Sequence, residues 1–208
     1  IVDTAMVARY STIEVGYQGI ANSALASTLI VAIIGLLMGT MVLTSTAYGA
    51  EDYKKCGRIC RRSIPYSLVF GLVGFVICLF GEPILLFLGQ TEDVARGGGE
   101  VIAVLSIGIP MVALMLSSQF FLEGINRPLP GMVLMLIANI LNIFLNWTLV
   151  WGHLGFEPMG VIGSAWATNI VRIFLAISML CYVIFALDRE KFGLFEKAET
   201  TWKSWKKL

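Results

Sequence analysis

MVLMLIANILNIFLNWTLVW, residues Met132–Trp151, decides the fold, because it runs for twenty residues without a charged side chain. About 20 such residues, rising 1.5 Å each as a helix, cross the hydrocarbon core of a bilayer. Working outward, four more apolar stretches are closed by charged or turn-rich segments: 19–48, 63–88, 100–124 and 159–187. The first is long enough to tilt or to extend past the lipid. Gly81-Glu82-Pro83 interrupts the end of the second, and Pro110 lies within the third. Residues 1–9 read as the last turns of a further helix, and the start at Ile1 reads as a truncation. The expected fold is all-α, a polytopic bundle of transmembrane helices over residues 1–187. Residues 188–208 are expected to form a cytoplasmic or interfacial linker.

Composition agrees. Of 208 residues, 57% are hydrophobic and 14% charged, against about 25% charged in soluble domains. The mean hydropathy is +0.82. A water-soluble fold of this size could not cover so much apolar surface, so the bilayer is the first expected partner. The net charge of +1 argues neither for nor against nucleic acid, and no nucleic-acid partner is expected. Cys56, Cys60, Cys78 and Cys181 form no metal or redox motif and read as free thiols.

Lys and Arg set the orientation. Lys54, Lys55, Arg58, Arg61 and Arg62 follow the first span, Arg127 lies between the third and fourth, and six basic residues lie beyond Leu187. If the five spans alternate, these segments share one side, with twelve of the fifteen basic residues. Arg9 and Arg96 lie on the other side, and Arg172 lies inside a span. The tail is therefore expected in the cytoplasm, with the chain multi-pass in the cell (inner) membrane. Within the tail, Phe195, Ala198, Trp202 and Trp205 recur at helical spacing between lysines. This suits an interfacial helix or a solvated linker with two anchoring tryptophans.

Polar groups inside spans are costly, so they face partners, water or substrate. Asn139, Asn142 and Asn146 fall within about 60° of one another at 3.6 residues per turn. Such a stripe is either a cation or substrate site, since amide oxygens suit hard cations, or interhelical hydrogen-bond glue. Gln119 and Glu123 lie one turn apart. Glu123 is either a buried protonatable carboxylate or an interfacial acid pairing with Arg127. Ser164, Thr168 and Arg172 recur at i, i+4 and i+8, with Asn169 adjacent. Arg172 is deep enough to need an acidic or carbonyl partner or a watery cavity. Asp3, a carboxylate on a spanning helix, reads as a proton or cation site. Gly35-xxx-Gly39 reads as a close helix approach.

An ordered set of motifs runs along the chain: Val2-Asp3-Thr4-Ala5-Met6, Glu82-Pro83-Ile84-Leu85, Gly108-Ile109-Pro110, Glu123-Gly124 with Arg127-Pro128 and Pro130-Gly131-Met132, Leu141 to Trp147, Val150-Trp151-Gly152, and Gly163 to Thr168. Together they resemble the multidrug and toxic compound extrusion (MATE) family over essentially the whole chain. The resemblance implies a twelve-helix transporter of two six-helix lobes, of which this chain is the N-terminal lobe with most of the first helix absent. It implies antiport of small cationic organic compounds against sodium or protons, with the C-terminal lobe as partner. It implies no cofactor beyond the coupling ion. By the same resemblance, Asp3 falls on the carboxylate that binds the coupling ion. Asn142 and Asn146 fall on paired asparagines of that cavity, with sodium held at Asp3, Asn142 and Asn146. Thr168 falls near a threonine of the cation site, and Glu123 on the acid of a Glu-Gly motif. Asn139 joins the site only through its helical face. Tyr48 and Val101 depart from the family pattern, where glutamine and tyrosine are common, and neither falls on the ion-site positions.

Three other readings are weaker. A lipid-linked saccharide flippase lines its cavity with several basic residues, and here Arg172 is the one deep cation. A membrane enzyme needs a Ser/His pair, paired aspartates or an aspartate cluster in its spans. The sole histidine, His153, lies in a loop, so no catalytic residue and no enzyme activity are expected. A purely structural subunit leaves the asparagine stripe without purpose.

Overall fold

The computed structural model describes residues 2–21 and 27–193. Every regular element among them is helical. In chain order they are α1 (Val2–Tyr10), α2 (Thr12–Ala21), α3 (Ser27–Gly49), α4 (Tyr53–Leu79), α5 (Gly81–Phe87), α6 (Glu92–Ser106), α7 (Ile109–Gly124), α8 (Leu129–Leu149), α9 (Gly160–Cys181), a π-helical turn (Tyr182–Ala186) and α10 (Arg189–Phe192). Among the described residues, α3, α4, α8 and α9 with its π turn are long and apolar enough to cross a membrane. α6 and α7, bent by 47° at the break between them, are long and apolar enough only as a pair, and counted as one span they make a fifth. The chain is thus an all-α transmembrane bundle.

The helix ends differ from the hydropathy reading for local reasons. The first apolar run is divided: Gly19–Ala21 belong to α2, α3 starts at Ser27, and the residues between lie outside the described ones. α4 starts ten residues before Ser63, because Asp52 caps it by accepting from the Lys55 N–H at 3.0 Å. The five basic residues read as a loop therefore stand on a helix. α4 ends at Leu79, and Gly81-Glu82-Pro83 opens the separate α5, where a first-turn proline is tolerated. α6 starts at Glu92, so Gly97-Gly98-Gly99 is helical rather than a break. A Cβ at Gly97 would lie 2.8 Å from the Tyr17 ring of α2, one at Gly98 3.0 Å from Leu85 and one at Gly99 2.8 Å from Glu82, so these glycines let α2 and α5 lie close against α6.

Two apolar clusters hold the bundle. One gathers Val7, Leu37, Leu85, Ile102, Leu105, Ile109 and Val150, and the other gathers Cys60, Phe121, Leu122, Ala176 and Met179. Outward, α8 exposes Leu136 and Ile140, at 66% and 70%. Apolar exposure on that scale marks a surface that meets lipid or protein rather than water. At the chain's far end, α10 lies on α4: Phe192 is buried edge-on to Tyr53 and Phe121, and Lys191 Nζ sits 4.1 Å above the Tyr53 ring. The start of the expected linker thus packs on the bundle. The segment with Trp202 and Trp205, read as an interfacial helix or a solvated linker, lies outside the described residues.

Candidate functional site

α1 brings Asp3 against α8 and α9. Asn146 is fully buried, and its Nδ2 donates to Asp3 Oδ1 at 2.8 Å. The same nitrogen reaches the Asn142 carbonyl at 3.0 Å and Asn142 Oδ1 at 3.3 Å. One amide thus ties α1 to α8 across 143 positions of sequence. With its NH2 so engaged, Asn146 Oδ1 is left buried without a hydrogen-bond partner. A buried acceptor without a donor is costly, and a bound cation is one way to satisfy it.

The carboxylate opens onto two cavities. The smaller, of about 160 Å³, lies between Asp3, Gln18, Ser164, Thr168 and Arg172, with Val101 and Leu105 among its apolar walls. Gln18 Nε2 donates to Ser164 Oγ at 3.2 Å, and Gln18 Oε1 is a second buried oxygen with no donor. The Thr168 hydroxyl donates to the Ser164 carbonyl at 3.0 Å. The larger cavity, of about 460 Å³, is lined by Asp3, Asn139 and Asn142 among Met135, Ala138, Val171 and Leu175. Asn139 is exposed at its edge.

Arg172 finds its partner in backbone. Pro110 carries no N–H, so the α6–α7 span cannot continue its hydrogen-bond ladder through this point. Ile107 and Gly108 instead make short-range bonds to the Val104 and Leu105 carbonyls, at 3.3 and 3.2 Å. Those two carbonyls also accept from α9, Val104 O from Asn169 Nδ2 at 2.6 Å and Leu105 O from Arg172 Nη1 at 3.2 Å. Gly108 makes room, since a Cβ there would meet Asn169 Oδ1 and lie 2.8 Å from Arg172 Cδ. The bend is thus fastened to the helix that carries Ser164 and Thr168.

The structure therefore brings together Asp3, Asn142, Asn146 and Thr168, with Asn139 beside them. It places Glu123 elsewhere. Glu123 Oε1 accepts from Gln119 Nε2 at 2.6 Å, in place of the expected pairing with Arg127. Gln119 in turn abuts Gly131, in the first turn of α8. Asn146 lies fifteen residues further along, about 22 Å at 1.5 Å per residue. Glu123 thus belongs to the opposite end of the bundle.

Gln18 was not singled out from sequence, since it stands one residue before the apolar run read as starting at Gly19. The available signal was the helical spacing of Glu14 and Gln18, both of which reach α9: Glu14 Oε2 accepts from the Val161 N–H at 2.6 Å. The donor set of carboxylate and amide oxygens suits a hard cation such as sodium. Among the described residues no group of three His, Cys, Asp or Glu could hold a metal ion.

Comparison with known proteins gives one answer. The MatE family model matches residues 1–148. A probable multidrug resistance protein NorM of Caulobacter vibrioides is 34% identical over 201 residues, 95% of this chain and 42% of that protein. The multidrug resistance protein PmpM of Pseudomonas aeruginosa is 29% identical, over 88% of this chain and 38% of that protein. The chain spans about two fifths of the length of these relatives. Among solved structures, the eukaryotic MATE transporter AtDTX14 superposes with a TM-score of 0.85 at 21% identity, over 95% of this chain and 43% of its own. An inward-facing multidrug resistance MATE transporter of the MOP superfamily superposes at 0.79 with 19% identity. With the family model matched over most of its length, the chain belongs to the MATE family of transporters.

Proposed function

We propose that the protein of which this chain is a lobe exports small cationic organic compounds in exchange for sodium or protons, with Asp3 as the coupling carboxylate. The observation that carries this reading is the Asn146 amide, which holds Asp3 Oδ1 while leaving its own buried oxygen without a donor. Ionised, Asp3 attracts sodium, and Asn142 and Asn146 supply further oxygen. Protonated, it removes the charge from the pocket. Either event alters the balance between outward- and inward-facing states. Thr168 lines the ion cavity, and Asn139 lies where a larger substrate would enter. Glu123 takes no part in ion coupling.

The protein is a transporter and not an enzyme on this reading, needs no cofactor, and requires a second lobe to complete its central cavity. The excess of Lys and Arg puts the α4 N-terminus and the tail in the cytoplasm of a cell whose inner membrane holds the protein. The flippase alternative finds little support among the described residues, whose one cation deep in a span, Arg172, donates through Nη1 to a backbone carbonyl.

Ethidium efflux from cells carrying the full-length protein tests the proposal, at fixed pH with and without sodium. Export by the wild type and loss in Asp3→Asn are expected, and the sodium dependence names the ion. Undiminished export by Asp3→Asn would refute the role of Asp3.

A further inference from the structure

α2 brings a neutral oxygen to the wall that Asp3 shares. Gln18 is 6% exposed and lines the smaller cavity together with Asp3, Ser164, Thr168 and Arg172. Its placement has a local cause. Glu14, one turn earlier on α2, accepts from the Val161 N–H in the first turn of α9. Gln18 Nε2 then donates to Ser164 Oγ at 3.2 Å, about one turn further along α9. The two helices are thus fastened alongside each other. The carboxamide is held by its nitrogen, while its oxygen, Oε1, is buried without a hydrogen-bond partner. An unmet buried acceptor is costly, and a role in binding explains why one is kept.

Counting such oxygens separates the two coupling ions. Asn146, the residue that holds Asp3, carries a second buried oxygen without a donor. A proton on Asp3 makes one O–H, which satisfies one acceptor. A hard cation such as sodium gathers several oxygens at once, carboxylate and amide alike. The hydroxyl oxygens of Ser164 and Thr168 also keep lone pairs to offer, the latter while donating to the Ser164 carbonyl. The cavity, of about 160 Å³, far exceeds the roughly 10–15 Å³ that one water needs, so an ion can keep part of its hydration there. Arg172 shares the wall. Its charge offsets that of ionised Asp3, which leaves the neutral oxygens to decide how tightly a cation is held.

We propose that the coupling ion is sodium and that Gln18 Oε1 is one of its ligands, in the smaller cavity beside Asp3. The inference rests on the reading of Asp3 as the coupling carboxylate, and it adds α2 to the helices that the ion joins.

The test uses the full-length protein in detergent at fixed pH. Its melting temperature is followed as sodium chloride replaces potassium chloride at constant ionic strength. A ligand of the folded state raises that temperature as its concentration passes its Kd. The wild type is expected to melt higher in sodium. Gln18→Leu, similar in size but without the oxygen, should need at least about tenfold more sodium for the same rise, since removing even the outer partners of metal ligands costs roughly 10–100-fold in affinity. Gln18→Met serves if Gln18→Leu fails to fold. Gln18→Glu gives up the N–H to Ser164 but keeps side-chain oxygen for the ion, and it should respond at wild-type sodium or below.

An unchanged response in Gln18→Leu would overturn the ligand role. Equal losses in Gln18→Leu and Gln18→Glu would also overturn it, and would leave Gln18 as a brace between α2 and α9. A wild type indifferent to sodium would overturn the inference alone, if Asp3→Asn still abolished proton-driven ethidium export. A sodium response that survived Asp3→Asn would overturn both the inference and the reading on which it rests.

Discussion

Asp3 and Glu123 are both carboxylates on membrane helices, each accepting from a carboxamide, at 2.8 and 2.6 Å. The resemblance ends at the partner. Glu123 takes its hydrogen bond from Gln119, one turn back on the same helix, and any helix with Gln and Glu at i and i+4 can make that pair. Asp3 takes its bond from a residue 143 positions away, beside two cavities and among buried oxygens that have no donor. The local pair leaves one buried oxygen of its own, Gln119 Oε1, without a donor, but it stays within one turn of a single helix. A long-range one, left incomplete, holds unmet hydrogen-bonding capacity at a chosen point between three helices.

The largest expected effect breaks or upholds this comparison directly. In the efflux assay, Asp3→Asn should abolish sodium- or proton-driven export while Glu123→Gln keeps most of it. Equal loss in both variants would mean that the acid at the far end also takes part, and that the geometric distinction has no functional counterpart.

The next effect lies at the bend. Gly108→Ala puts a methyl group against Asn169 Oδ1 and Arg172 Cδ. Overpacking at such a contact costs about 1–3 kcal/mol, to which loosening of the Arg172 and Asn169 bonds to α6 would add. A lowered melting temperature in detergent is the expected result, with Gly35→Ala as control, since a Cβ at Gly35 meets nothing within 4 Å. Matching losses in the two variants would show that the cost does not come from the fastening of α9 to the bend.

The same contrast explains what the sequence could reveal. The spans were legible because apolar runs between charged segments report bilayer thickness, whatever the tertiary contacts. The asparagine stripe was legible because helical spacing puts Asn139, Asn142 and Asn146 on one face. Helix starts were less so: Asp52 as an N-cap moved the start of α4 into what hydropathy reads as a basic loop. Arg172 announced that it needed a partner, but the Leu105 carbonyl carries no side-chain signature, since every residue has one. Gln18 joins the site only through the packing of α2 on α9, which no spacing along the chain encodes. Gln119 and Glu123 were placed one turn apart by spacing, although the partner read for Glu123 was Arg127 and not Gln119. Residues that depend on distant helices could only be nominated.

The smallest expected effect concerns another local device. Asp52 caps α4 through the Lys55 N–H and touches Arg58 at 3.9 Å. Both interactions are exposed, and exposed ion pairs contribute little, so the loss on Asp52→Ala should come almost wholly from the cap, about 1 kcal/mol. Thermal melting of Asp52→Ala beside Asp52→Asn separates the two contributions, since asparagine keeps the cap and removes the charge. Asp52→Asn should melt close to the wild type, and Asp52→Ala slightly below it. If Asp52→Asn fell as far as Asp52→Ala, the carboxylate's charge and not the cap would be stabilising the basic end of α4.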